Sequence, residues 1–161
     1  MEICHAPTSS ANFKTHAIIN HMEGFSALIA FFIGWFLSQT IKIFVEWAKL
    51  GKVSAKEVFA LLVKARSGGM PSGHTASFGA LITFLGLWQG FNSAIFALGL
   101  GVFAIVVYDA LNVRRSVGEI GKVMKKEGKL KKAVEGHTVL EVIAGGLIGI
   151  AVGLSVFLLT K

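Results

Sequence analysis

Residues 138–160 read TVLEVIAGGLIGIAVGLSVFLLT, an apolar run interrupted by a single charge, Glu141. A helix needs roughly 20 such residues to cross the ~30 Å hydrocarbon core of a bilayer. Gly145, Gly149 and Gly153 recur at intervals of four, which places them on one helix face where another backbone can come close. Outward from this run the pattern repeats. Residues 24–45 (GFSALIAFFIGWFLSQTIKIFV) form a second such run, with Gln39 and Lys42 toward its C-terminal end. Residues 75–91 form a shorter run and residues 93–111 another. Four runs in 161 residues leave too little polar surface for a soluble core.

Composition agrees. Hydrophobic residues make up 53% of the chain and charged residues 16%, against roughly 25% charged in soluble domains. Cys4 is the only cysteine, so neither an intramolecular disulfide nor a cysteine-based metal cluster can form. The net charge of +7 comes from basic residues clustered between apolar runs, a pattern of membrane loops rather than of nucleic-acid binding. The segment between the first two runs carries Lys49, Lys52, Lys56, Lys64 and Arg66. The segment between the last two carries Arg114, Arg115 and six lysines, whereas residues 88–92 carry no charge. Positive segments stay cytoplasmic, which predicts both termini outside. Ser54 and Glu57 have capping-box spacing, and Ala55, Val58, Phe59 and Leu62 follow at i, i+3, i+4 and i+7, as in an amphipathic surface helix. Ile120, Val123 and Met124 fall on one side of the other basic segment and lysines on the opposite side, up to Gly128. The expected fold is all-α: an integral membrane bundle of about four transmembrane helices plus a cytoplasmic amphipathic helix. It forms one domain over 1–161, with residues 1–23 a polar N-terminal segment.

Three polar groups adjoin these runs at the expected cytoplasmic end: Ser67-Gly-Gly-Met-Pro-Ser-Gly-His74, Tyr108-Asp109 with Arg114 and Arg115, and Gly136-His137-Thr-Val-Leu-Glu141. Ionisable groups at membrane depth are costly and therefore functional candidates. Pro71 suits a helix start, so Ser72, Gly73 and His74 would present backbone N–H groups to an anion. His137 and Glu141 share a helix face at i, i+4. The carboxylate can then fix one imidazole nitrogen and leave the other as a nucleophile. Read in isolation, the first and third motifs also fit simple helix caps. His74, Asp109, His137 and Glu141 could together hold a metal, but the adjacent Arg114 and Arg115 favour an anion such as phosphate.

The motifs G-G-M-P-S-G-H, Y-D-A-x-x-V-R-R and G-H-T-x-x-E-V-x-x-G resemble the divergent branch of the type-2 phosphatidic acid phosphatases, related to acid phosphatases and vanadium-dependent haloperoxidases. The resemblance covers roughly residues 24–159. It implies His74 as general acid, His137 as nucleophile and Glu141 where the superfamily usually has Asp, with Ser72 and Gly73 contacting the phosphoryl group. The superfamily's opening Lys and Arg-Pro motif is not recognisable here, and Lys42 or Arg66 would substitute for it. Leu130 and Lys131 stand where Ser-Arg would precede His137, so Arg114 and Arg115 would supply that charge, with Asp109 orienting.

The resemblance thus implies a membrane phosphatase acting on a phosphomonoester, a lipid phosphate above all, through a phosphohistidine and with no cofactor or metal. A non-catalytic protein that binds phospholipid headgroups in the same pocket is the alternative. Vanadate-dependent halide oxidation has no support in these residues. The expected partners are a phosphorylated lipid and a bilayer with anionic lipids, not nucleic acid; association into a homo-oligomer is left open.

Overall fold

The computed structural model describes residues 10–50, 69–129 and 137–161. The expected amphipathic helix around 54–62 and Arg66 lie outside them. The described residues form α1 (Ser10–Leu50), α2 (Gly73–Gln89), α3 (Ala94–Tyr108), a π-helical turn (Asp109–Val113), α4 (Arg114–Lys126) and α5 (Val139–Thr160). No strand occurs among them. The protein is a helical membrane bundle: α1 over Gly24–Val45, the continuous stretch beginning at α3, and α5 are each long and apolar enough to cross a bilayer.

The boundaries follow local chemistry. Ser72 caps α2 through its hydroxyl, and Gly90, at φ +87°, ends it in a left-handed backbone that favours glycine. Ser93 then caps α3, accepting from the Phe96 N–H at 3.2 Å. Thr138 and Glu141 form a complete capping box at the head of α5. Gly128 (φ +73°) closes α4: its N–H donates to Lys125 and that of Lys129 to Met124, the paired bonds of a Schellman ending.

Two features bear on the sequence expectation, the first by going beyond it and the second by meeting it. Residues 10–23 are helical, so α1 runs 41 residues, about 60 Å and twice the hydrocarbon thickness. Their polarity keeps them out of the hydrocarbon, but no Pro or Gly between Ser10 and Gly24 interrupts the helix. The second expected span, α2, has only 17 residues. Its neighbours show that it nonetheless returns the chain from one end of the bundle to the other.

α2 is the centre of the bundle and packs against α1, α3 and α5. Ala76 and Ala80 are fully buried in it. On one side a Cβ at Gly34 of α1 would lie 2.8 Å from the Ala76 carbonyl oxygen. On the other, a Cβ at Gly149 would lie 2.6 Å from that same oxygen and 2.8 Å from the Ala80 nitrogen. Gly145 meets Ser72, Gly149 meets Ala76, and Gly153 meets Ala80. This constant offset makes α2 and α5 parallel, whereas Gly34 opposite Ala76 and Gln39 opposite Gly73 make α1 antiparallel to both. The hairpin through Gly90 makes α3 antiparallel to α2. The N-terminal ends of α2 and α5 and the C-terminal ends of α1 and α3 therefore share one end of the bundle. At the other end Ala27 and Ala30 pack with Phe84, Leu85, Val152 and Val156. Outward-facing Phe25, Leu98, Leu147 and Leu158 are exposed, as lipid-facing side chains must be.

Overfilling the α2–α5 contact is expected to separate the helices. Gly149→Leu should destabilise the detergent-solubilised protein by about 1–3 kcal/mol or more, read as a lowered Tm. Gly101→Ala, where a Cβ meets nothing within 4 Å, should be neutral or stabilising by up to ~1 kcal/mol.

Candidate active site

The shared end gathers the three polar motifs. α2 and α5 are tied directly at their heads: the Ser72 N–H donates to the Glu141 carbonyl oxygen at 2.9 Å. The Ser72 hydroxyl accepts from Thr75 Oγ1 at 2.9 Å and caps the Thr75 N–H, and both residues are buried. Ser72 thus joins two helix ends, its own N–H already engaged. The free donors of the first α2 turn begin at Gly73 and His74. Gly73 is buried against α1, where a Cβ would lie 2.9 Å from Gln39 Nε2 and 3.3 Å from Ser38 Oγ. His74, the next residue, is exposed.

His137 sits just ahead of α5 with its side chain 4% exposed. Its Nδ1 lies 3.1 Å from Glu141 Oε2, and the same carboxylate oxygen accepts the Thr138 N–H at 3.0 Å. The expected i, i+4 pair is present. A carboxylate held by a backbone N–H accepts a hydrogen bond from Nδ1–H, which favours the tautomer with its lone pair on Nε2.

Asp109 and Arg114 come together through the π-helical turn. Five positions on an α-helix are about 140° apart, whereas an i→i+5 turn brings them onto one face. The Arg114 N–H bonds the Asp109 carbonyl, and Arg114 Nε meets Asp109 Oδ2 at 2.7 Å. Arg115 goes elsewhere: its Nε lies 3.5 Å from Glu119 on a well-exposed part of α4. The expected arginine clamp is thus split, and Arg114 alone faces the histidines. Lys42, half-buried, lies with its stem against Gly69.

Both histidines sit ahead of the apolar runs, and both titrate below the ordinary value. Partial desolvation by the surrounding helices is the largest cause for His74, whose side chain is still partly open to solvent, followed by the positive charges of Arg114 and His137; Asp109 pulls the other way, and Lys42 adds a smaller depression. For His137 burial again leads, opposed by the hydrogen bond and charge of Glu141, with Lys42 and Arg114 depressing it further. These groups, from α1, α2, the π-helical turn, α4 and the head of α5, influence one another electrostatically. Among the described residues no three His, Cys, Asp or Glu side chains gather into a metal-ligating group. Asp109 is taken by Arg114, and Glu141 by His137.

A sequence profile of the divergent PAP2 family matches residues 25–152, nearly all of the described bundle. The chain belongs to the divergent PAP2 family. The uncharacterized membrane protein YuiD of Bacillus subtilis (strain 168) is 32% identical over 136 residues, an alignment that takes in 70% of this chain and 82% of that protein. No solved structure matches. Sequence reading of this divergent PAP2 protein noted Gln39 beside Lys42 but gave it no part in the site, and it overlooked Ser38. Their signal was present: four polar residues, Ser38, Gln39, Thr40 and Lys42, within five positions of an apolar run.

The charge couplings can be checked by NMR titration of the histidines in detergent. Arg114→Ala removes a positive neighbour and should raise the apparent pKa of both His74 and His137. Glu141→Gln removes the acceptor and its charge and should lower that of His137 while leaving α5 intact.

Proposed function

We propose that this divergent PAP2 protein is a membrane-embedded phosphomonoesterase acting on a lipid phosphate. The observation that carries the reading is the buried His137, held at Nδ1 by Glu141, beside the exposed His74 where two parallel helices present their N-terminal ends. Helix N-termini attract phosphate through free N–H groups and the helix dipole. Arg114, Lys42 and the first-turn N–H groups of α2 supply the charge that phosphoryl oxygens require. Arg115 is paired with Glu119, and the Ser72 N–H and hydroxyl are engaged in joining and capping helices.

The chemistry runs in two halves. His137 Nε2 attacks phosphorus in line, an N–P bond forms, and the bond to the leaving oxygen breaks as His74 gives that oxygen its proton. Water, deprotonated by His74, then breaks the N–P bond and releases phosphate. The depressed pKa of His137 keeps it neutral and nucleophilic near pH 7. His74 carries the opposite requirement, and the incoming phosphate dianion offsets the cations that depress it. Asp109 orients Arg114, and preorganised donors of this kind stabilise charge on the equatorial oxygens.

A lipid fits because the site opens sideways. α3 has no buried residue and packs on α2, while α1 and α3 do not pack along each other among the described residues. The α2 face between them carries His74, Phe78 and Leu81 at i, i+4 and i+7, and the two apolar side chains are partly exposed. A phosphate at His74 would thus have its acyl chain against Phe78 and Leu81, within the hydrocarbon.

His137→Ala should abolish phosphate release from lipid phosphates, by more than about 10³-fold. His74→Ala should cost about 10²–10⁴-fold with alkyl leaving groups and far less with an aryl phosphate, which needs little protonation. Turnover should survive chelators and stop with vanadate. Equal rates for wild type and His137→Ala would leave the headgroup-binding alternative.

The thirteen Lys and Arg residues between the first and second and between the third and fourth runs support a cytoplasmic site with both termini outside. A reporter fused after Lys161 should therefore be active only as a periplasmic or extracellular enzyme; activity confined to the cytoplasm reverses the orientation.

A further inference from the structure

α4 continues from the π-helical turn and, among the described residues, packs on that turn and on no other element to any extent. One sector of its circumference carries Val117, Ile120, Val123 and Met124, with the first three at least half exposed. The opposite sector carries Lys122, Lys125 and Lys126, all exposed, and the buried Gly118 and Gly121 flank Lys125 there. At about 100° per residue the centres of the two sectors lie roughly 180° apart. The basic sector also holds Arg115, whose charge is met by Glu119, so its excess charge comes from the lysines.

The helix also begins where a bilayer ends. Residues 94–111 take up about 27 Å of rise, close to the hydrocarbon thickness. A straight continuation would carry Ile120 about 13 Å further, beyond a headgroup layer of roughly 5–8 Å and into water. A π-helical turn is a site at which a helix bends.

We propose that α4 lies in the headgroup layer of an anionic bilayer, its apolar sector in the acyl boundary and its lysines against anionic headgroups, and that this seating holds Arg114 toward His74. Arg114 is both the first residue of α4 and the residue whose N–H and guanidinium are bonded to Asp109, so the lie of α4 sets where that guanidinium points. An amphipathic helix with apolar and basic faces opposed binds an interface in this way, and its attachment depends on anionic lipid. The inference does not depend on turnover, so it can fail or stand apart from the phosphatase reading.

The test uses the full chain with Cys4→Ser and a nitroxide placed at Ile120→Cys or at Lys122→Cys, reconstituted in phosphatidylcholine vesicles with and without phosphatidylglycerol. With phosphatidylglycerol the label at 120 should be accessible to oxygen and shielded from a water-soluble nickel chelate, and the label at 122 should show the reverse. Omitting phosphatidylglycerol, or replacing Lys125 and Lys126 by Gln, should raise nickel accessibility at 120 several-fold. In the unlabelled protein the same changes should move the NMR titration of His74 upward as Arg114 withdraws. Water exposure at 120 in anionic vesicles, equal accessibility at the two positions, or indifference to lipid charge would overturn the seating. An unmoved His74 titration would overturn its link to Arg114.

Discussion

The contact of Ala76 and Ala80 with Gly149 and Gly153 decides where the polar motifs come together. Backbones that approach to this distance leave no room for a Cβ on α5, and the register they impose brings Ser72 level with Gly145 and its N–H onto the Glu141 carbonyl. Parallel packing is the consequential part. Two helices that run the same way point their positive ends at the same place, a repulsive arrangement that sequential antiparallel hairpins avoid. Glu141, in the first turn of α5, answers one of those ends with its carboxylate. The other end, at Gly73 and His74, has no acidic residue in its first turn and remains attractive to an anion.

The carboxylates of the site confirm this division of labour. Glu141 is spent on His137 and Thr138, and Asp109 on Arg114. Each negative charge orients a neighbour, while Lys42 and Arg114 bring positive charge to bear on both histidines. A cation would have to displace an existing ion pair to enter; a phosphoryl group adds to what is already arranged.

How much of this the sequence disclosed depended on the range of the interaction. The apolar runs and the His137–Glu141 pair are local, set by spacings of about twenty and of four residues, and all are present. The glycines of α5 announced a close-packing face, though not which helix would fill it. Three features escaped. α1 extends back to Ser10 because polarity excludes a segment from hydrocarbon without preventing it from being helical. Arg114 and Arg115 part company because adjacent residues on a helix point about 100° apart, and the π-helical turn that hands Arg114 to Asp109 has no sequence signature as clear as a proline. Ser72 became a link between helices, since the partner of its N–H lies 69 residues away in the chain.

The site is therefore built from two halves of unequal firmness. His74, His137 and Glu141, with Gln39 alongside, stand on α1, α2 and α5, whose small residues interlock and whose helix heads are hydrogen-bonded together. Asp109 and Arg114 stand on an arm, α3 to α4, with no buried residue in α3 and only Ala110, Gly118 and Gly121 buried beyond it. Local opening costs least where few apolar contacts are lost, so motion at this site belongs to the arm. In the proposed reaction the histidines would keep their positions on the interlocked helices, and the Arg114 guanidinium, oriented by Asp109, would be the member of the site most easily displaced.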